Sequence, residues 1–370
     1  MTGAATGGVT LITGGAGFVG SNLADRLLAQ GRRVRVLDSL QRPGVEQNLQ
    51  WLRRTHGDAL EVSVADVRDA RAVREAVAGA TQVYHFAAQV AVTTSLADPR
   101  EDFEVNAAGT LNVLEAVRAS DAPPPLLLTS TNKVYGGLAD VPLVLEGQRY
   151  LPQDAQWRAR GVSEARPLDF HSPYGCSKGT ADQYAIDYAR SYGLTTLVFR
   201  MSCIYGPRQF GTEDQGWVAH FLLRALRGER ITLYGDGRQV RDILFVDDLV
   251  DAFLLAERNA PRLCGRAFNI GGGPANTISL LDLVDRIEQL HGTRPGLEFD
   301  AWRTGDQRYY VSDTGAFEAA TGWRPRVDTQ AGIERLYGWL AERERGSTPA
   351  ARRAHTETEP EGADEACKPV

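Results

Sequence analysis

The chain has 370 residues, 43% of them hydrophobic, which is enough to bury a large core and build one big α/β unit with a smaller lobe. A formal net charge of −6 argues against nucleic acid as the main partner, and no segment approaches the about 18 consecutive apolar residues of a membrane span. Met1 to Thr10 lacks a secretion signal, and Cys176, Cys203, Cys264 and Cys367 form no C-x-x-C pair, so a reducing, cytoplasmic setting without metal or disulfide framework is expected.

Val9 to Ile12 reads as a short buried strand, and Thr13-Gly14-Gly15-Ala16-Gly17-Phe18-Val19-Gly20 leads from it into a helical pattern through Leu28. Glycines three apart at Gly14, Gly17 and Gly20 permit a tight bend, close backbone approach to a pyrophosphate, and helix-on-strand packing. Phe18 and Val19 open a helix whose free N–H groups favour an anion. A second strand, Val34 to Leu37, ends in Asp38, 18 residues beyond Gly20. A carboxylate there accepts from both ribose hydroxyls and repels a 2′-phosphate, so the expected cofactor is NAD; Arg42, four residues on, is the nearby cation that works against this preference.

Further strands are expected at Leu60 to Val64, Gln82 to Phe86, Leu126 to Thr129 and Thr196 to Phe199. Asp66 and Val67 after the third strand are candidates to meet adenine. Ala87 and Ala88 after the fourth are small enough to let the cofactor cross the sheet edge, with ordinary packing as the competing reading. The alternation predicts a Rossmann-type, doubly wound parallel sheet over residues 1–200, with segments near 238–272 returning to it. Residues 201–237 and 273–345 are expected to form a mixed α/β substrate lobe. It would contain an amphipathic stretch from Trp217 to Leu226, a turn at Gly235-Asp236-Gly237, and helices near 278–290 and 331–342. Residues 138–172, rich in Pro, Gly and charge, read as a loop over the active site, and 346–370 as a disordered tail.

Of 41 basic residues only Lys133, Lys178 and Lys368 are lysine, so lysine in the folded body is a candidate for work that guanidinium cannot do. Tyr174 and Lys178 are four apart, which on a helix puts both on one face. Acting as a base near pH 7, a phenol of pKa about 10 needs about three units of depression, roughly 4 kcal/mol. An ammonium one turn away is expected to supply much of it. Thr131, at the end of a buried strand, offers the hydroxyl that positions a sugar alcohol.

The glycine turn, the Thr131 strand end and Tyr174-x-x-x-Lys178 resemble the extended short-chain dehydrogenase/reductase superfamily of nucleotide-sugar enzymes, over about residues 8 to 345. Ser130-Thr131-Asn132-Lys133-Val134-Tyr135-Gly136, Asp169-Phe170-His171-Ser172-Pro173-Tyr174-Gly175-Cys176-Ser177-Lys178-Gly179 and Arg208-Gln209-Phe210-Gly211-Thr212-Glu213-Asp214-Gln215-Gly216-Trp217-Val218 are similar to the CDP-paratose (CDP-tyvelose) 2-epimerases. That resemblance implies oxidation to a keto sugar by NAD and hydride return to the opposite face, with Thr131, Tyr174 and Lys178 as the catalytic set. Dehydratases of the superfamily carry Asp-Glu after the threonine; Asn132 and Lys133 stand there instead and are expected to bind sugar hydroxyls.

For the diphosphate the motif match implies Arg241 and Arg303, with Arg208 and Arg308 as further candidates, since guanidinium forks suit phosphate oxygens. Gln209, Phe210 and Trp217 are candidates for the sugar or base pocket. Met201, Cys203, Pro207 and Gly137 depart from the 2-epimerase pattern beside that pocket, Cys203 as a substrate contact. The resemblance also implies a homodimer through Phe103 to Ala119 and Tyr174 to Tyr192. A 4-epimerase, a nucleotide-sugar dehydrogenase and a catalytically silent nucleotide-binding protein are the alternatives.

Overall fold

A computed structural model describes residues 8–346; the expected tail lies outside them apart from Gly346. Seven strands, β1 (Val9–Thr13), β2 (Arg33–Asp38), β3 (Leu60–Val64), β4 (Ala80–His85), β5 (Leu126–Thr131), β6 (Thr196–Met201) and β7 (Arg266–Ile270), form one sheet in the order β7-β6-β5-β4-β1-β2-β3. Every pairing in it is parallel. The strands are short β-branched and leucine-rich runs, and β1 and β5 are buried at every position, as a sheet covered on both faces requires. One face packs against a core containing Leu23, Leu27, Leu49 and Phe253, the other against Val113, Leu114, Ala181 and Ala185. This is the expected Rossmann-type α/β fold. The strand order reverses between β1 and β4, which opens a crevice at the carboxyl ends of those strands.

After β6 the chain builds a second layer. Val240–Phe245 pairs with Cys203–Tyr205, Thr277–Ser279 and Tyr309–Tyr310, and Ile231–Tyr234 pairs with Leu297–Asp300. Helices Trp217–Leu226, Leu280–His291 and Thr329–Gly346 close around Leu222, Leu233, Phe245, Ile287 and Leu336. Within 238–272, therefore, Arg266–Ile270 completes the main sheet while Val240–Phe245 belongs to the small one.

The stretch 138–172 is more ordered than its composition implies. It holds a hairpin, Leu143–Glu146 with Arg149–Pro152, and a helix, Ala155–Arg160 capped by Asp154. Leu143, Trp157 and Val162 pack with Tyr310, and Val162 N–H donates to Val311 O at 2.7 Å, so the stretch is sewn to the second layer. Among the described residues no helix is long and apolar enough to cross a membrane.

Candidate active site

The glycine turn fits an approaching dinucleotide backbone. Gly14 has φ 69°, in the left-handed region, and a Cβ there would stand 2.7 Å from Ala87 N. A Cβ on Gly20 would meet Gly14 O at 2.3 Å, so helix Phe18–Ala29 rests directly on the turn. Gly17 caps that helix without a side-chain hydrogen bond, and Phe18, Val19 and their neighbours place no acid in the first turn. Its N–H groups are left to an external anion. Asp38, closing β2, accepts from Ala16 N at 3.0 Å and Leu40 N at 2.9 Å, and burial pushes its carboxyl above the usual range.

The other cofactor candidates divide. Ala87 N donates to Thr13 Oγ1 at 3.2 Å against Gly14, and Ala88 is half-buried beside it. Val67 is buried against Gly109 at the rim. The Asp66 carboxylate is gripped by Arg68 at 2.7 and 3.0 Å, which holds its pKa below the ordinary value.

The strand end of β5 and the helix Ser172–Tyr192 bring the reacting set together. Thr131 is 7% exposed and lies near enough to the Tyr174 phenol to favour its ionised form; its Oγ1 donates to Asn132 Oδ1 at 3.3 Å and accepts from Lys133 N at 3.2 Å. Lys178 is 4% exposed and donates to Thr129 O at 2.7 Å. Burial lowers its pKa to about 8, opposed by Asp182 and Asp102. The expected depression of the phenol is not present in the chain by itself: burial pushes Tyr174 up to about 12, and Thr131 works against it. The shared helix face holds, but the Lys178 ammonium gives its short bond to a carbonyl.

The candidates for substrate binding fall into two groups. Lys133 Nζ lies 3.5 Å from Asp306 Oδ1 and donates to Gly305 O at 3.1 Å; Arg241 Nη2 donates to the same Asp306 oxygen at 2.6 Å. Burial pushes the Lys133 ammonium down and Asp306 holds it up. Two cations therefore share one carboxylate, leaving a net positive charge for an anionic ligand. Cys203 belongs to this group, its thiol pushed up by burial and opposed by Arg241. Asn132 Nδ2 donates to Gln307 Oε1 at 3.2 Å, which ties the residue after Thr131 to the same loop.

The side chains of the others have different partners, although Arg303 O accepts from Asp306 N at 3.2 Å. Arg303 stacks on Tyr234 at 3.7 Å and donates to Glu213 O. Arg308 is exposed near the Tyr150 and Trp302 rings. Gln209 is buried and donates to Ile204 O at 3.1 Å. Arg208, with φ 71°, turns its guanidinium onto Trp51 at 3.7 Å and toward Trp339, on the outer side of helix Val45–His56. The structure does not bring it to the Lys133–Asp306–Arg241 group.

Three residues of the site had no place in the sequence reading. Asp306 was visible only as a letter in Arg303-Thr304-Gly305-Asp306. His85 sits between Thr13 Oγ1 at 2.6 Å and Thr110 Oγ1 at 3.0 Å under the switch point. Asp102 lies beneath the tyrosine helix.

Residues 10–271 match the family model described as the NAD dependent epimerase/dehydratase family. A CDP-paratose 2-epimerase of Salmonella typhi is 42% identical over 338 residues, covering 90% of this chain and 98% of that protein. A UDP-glucose 4-epimerase from Thermus thermophilus, solved with NAD, superposes with a TM-score of 0.75 at 33% identity, covering 92% of this chain and 100% of that one. A dTDP-glucose 4,6-dehydratase from Streptomyces venezuelae, also solved with NAD, gives a TM-score of 0.78 at 29% identity, covering 92% and 99%. The family model spans most of the chain and the relatives nearly all of it, and the chain belongs to the NAD dependent epimerase/dehydratase family, of the extended short-chain dehydrogenase/reductase type.

Proposed function

We propose that the protein is a nucleotide-sugar epimerase that inverts C2 of a CDP-linked hexose of the paratose/tyvelose type through a keto intermediate. The observation that carries this reading is the setting of Thr131: it favours ionisation of the Tyr174 phenol, and the two residues after it are an amide, Asn132, and an ammonium, Lys133, held by the Gln307 and Asp306 loop. Neither is an acid suited to expelling a hydroxyl as water, so oxidation and reduction without elimination is the chemistry this pair favours. The 42% identity to a CDP-paratose 2-epimerase over nearly the whole chain supports the choice of carbon and base.

The Gly14–Gly20 turn, the start of helix Phe18–Ala29 and Asp38 would hold NAD, which would supply the hydride acceptor for the carbinol carbon and the hydride donor for the ketone's opposite face. Tyr174, as phenolate, takes the hydroxyl proton while the C–H bond breaks, and gives it back to the carbonyl oxygen when the C–H bond re-forms. Thr131 orients that oxygen, and the Lys178 ammonium supplies fixed positive charge beneath the phenol. Asp38 favours a ribose with free hydroxyls, hence NAD over NADP. Arg241 and Lys133, sharing Asp306, are the cations for the diphosphate and sugar.

Exposed Phe103 (55%), Leu111 (36%), Tyr184 (46%) and Tyr192 (53%) stand on the two helical segments expected to form a homodimer. The reaction test is incubation with CDP-, UDP-, GDP- and dTDP-hexoses in deuterated water, with products read by NMR. Inversion at C2 of the CDP sugar without solvent deuterium is expected; net NADH accumulation or inversion at C4 overturns the assignment. Tyr174→Phe should lower kcat by a factor of about 1,000 or more and keep NAD binding within about threefold.

A further inference from the structure

Asp102 is a buried carboxylate beside the tyrosine helix that the reaction outlined above does not use. Asp102 is 1% exposed, on the helical turn Pro99–Phe103 that faces the tyrosine helix. Its Oδ1 accepts from Asn106 Nδ2 at 3.1 Å, and the same amide reaches Ser177 Oγ at 3.1 Å and Gln89 O at 3.1 Å. Asp102 Oδ2 and Asn106 Oδ1 have no hydrogen-bond partner. Burial pushes the Asp102 carboxyl above the usual carboxylate range, and Ser177, the Lys178 charge and Asn106 work against that; an anion so deep is unfavourable unless an opposite charge lies within range.

Ser177 immediately precedes Lys178, whose equally buried ammonium is bonded to a neutral carbonyl. The other ionisable groups around that ammonium are accounted for. Asp182, one turn on, opposes the burial of Lys178 ahead of Asp102, but its carboxylate is also clasped by Arg200 from β6 through two bonds of 2.8 Å, whereas Asp102 forms no ion pair among the described residues. His85 from β4 lies between two threonine hydroxyls, its imidazole held neutral by burial. Tyr174 is the exchanging group itself, and Arg42, the remaining cation nearby, acts on Tyr174.

We propose that Asp102 is the counter-charge of Lys178, a positioning residue that keeps the lysine an ammonium while the phenol one turn away exchanges its proton. The proposal rests on the roles given to Tyr174 and Lys178 above. Asp102 donates and accepts no proton in the cycle. Its charge favours the protonated lysine against burial, and it also favours the protonated phenol. Replacing it with a neutral isostere therefore makes Lys178 lose its proton at lower pH.

The chain has only three lysines, so each gives its own signal when lysine alone carries 13C at Cε. The test compares the wild-type protein and Asp102→Asn, both with NAD, by titrating these signals between pH 6 and 10, with Lys178→Met to assign the resonance. Lys178 should titrate near pH 8 in the wild type. It should fall by about one unit in D102N, and the alkaline limb of kcat should fall with it. An unmoved Lys178 in a D102N variant that still binds NAD overturns the proposal. If D102N does not fold, the wild type decides: with aspartate 13C-labelled at its carboxyl, Asp102 should be ionised at pH 7, and a buried aspartic acid still protonated there overturns the proposal. Because the titration needs no sugar, a failure of epimerisation rejects the function above without touching this result.

Discussion

His85 shows how one side chain makes the crevice sensitive to acid. The Thr110 hydroxyl donates to Asn106 O at 2.6 Å and so receives the Nε2 proton, while Thr13 donates to Nδ1; the ring is neutral and pinned. Burial lowers its pKa to about 3, against about 6.5 in an unfolded chain. The unfolded state therefore takes up a proton as pH falls through about 6.5 and the native state does not until about 3. This contribution to stability is complete above about pH 6.5 and lost as pH falls through about 3. Between pH 7 and pH 4.5 the unfolding free energy in urea should fall by about 2–3 kcal/mol from this residue alone. His85→Gln, which keeps a donor and an acceptor, should flatten that dependence, and an unchanged slope counts against a neutral His85. At this scale the sequence was readable where chemistry is local. Tyr174-x-x-x-Lys178 on a helix and Asp38 after a strand follow from spacing. Arg208 shows the limit: the motif fixes a guanidinium at that position, but its direction is set by the left-handed backbone and by Trp51 and Trp339, far away in the chain. Asp102 was hidden for a similar reason, since Pro99-Arg100-Glu101-Asp102 reads as surface until the tyrosine helix covers it.

Among the elements, the strand–turn–helix at residues 9–29 was the most legible, because glycine spacing and apolar periodicity agree there. The structure adds the reason each glycine is needed. Gly20→Ala puts a methyl group against the Gly14 carbonyl and must push the helix off the turn. NAD affinity measured by calorimetry should drop tenfold or more. Gly31→Ala has nothing within 4 Å of its added Cβ but stands at φ 77°. It should cost about 1 kcal/mol of stability and leave NAD affinity alone. Equal effects of the two on affinity would contradict a direct role for the Gly14–Gly20 contact. The helix expected from Phe103 to Ala119 is instead a helical run broken by a π-turn over Glu104–Ala108. No periodicity announces such a turn, because its extra residue is fixed by Asn106 reaching Gln89, Asp102 and Ser177. The hairpin within 138–172 was missed because its four-residue strands gain apolar contacts from distant parts of the chain, Leu143 and Leu151 packing in clusters with Tyr310, Tyr309, Val311 and Val240.

For the whole molecule, the parallel sheet was foreseeable from alternating strand and helix patterns, and so were the second layer's helices Trp217–Leu226, Leu280–His291 and Thr329–Gly346, whereas its strands were not: they are two to six residues long and pair across distant parts of the chain. The exposed aromatic residues on the two helical segments give the test of assembly. Phe103→Asp with Tyr184→Asp should convert a dimer to a monomer in sedimentation, with NAD retained; a wild type already monomeric at micromolar concentration rejects the dimer.

The path of β7 has a consequence for how this protein can be made or cut. Arg266–Ile270 seals the flank of β6 only after the chain has laid down Cys203–Tyr205 and Val240–Phe245, so the two layers are threaded through one another rather than strung in series. During synthesis the ribosome must release some 270 residues before the sheet is whole. A fragment stopped near residue 200 would present the backbone of Thr196–Met201 as a raw, sticky margin. The nucleotide-binding half is thus not a detachable cassette, and anyone wishing to borrow it must carry the return strand along.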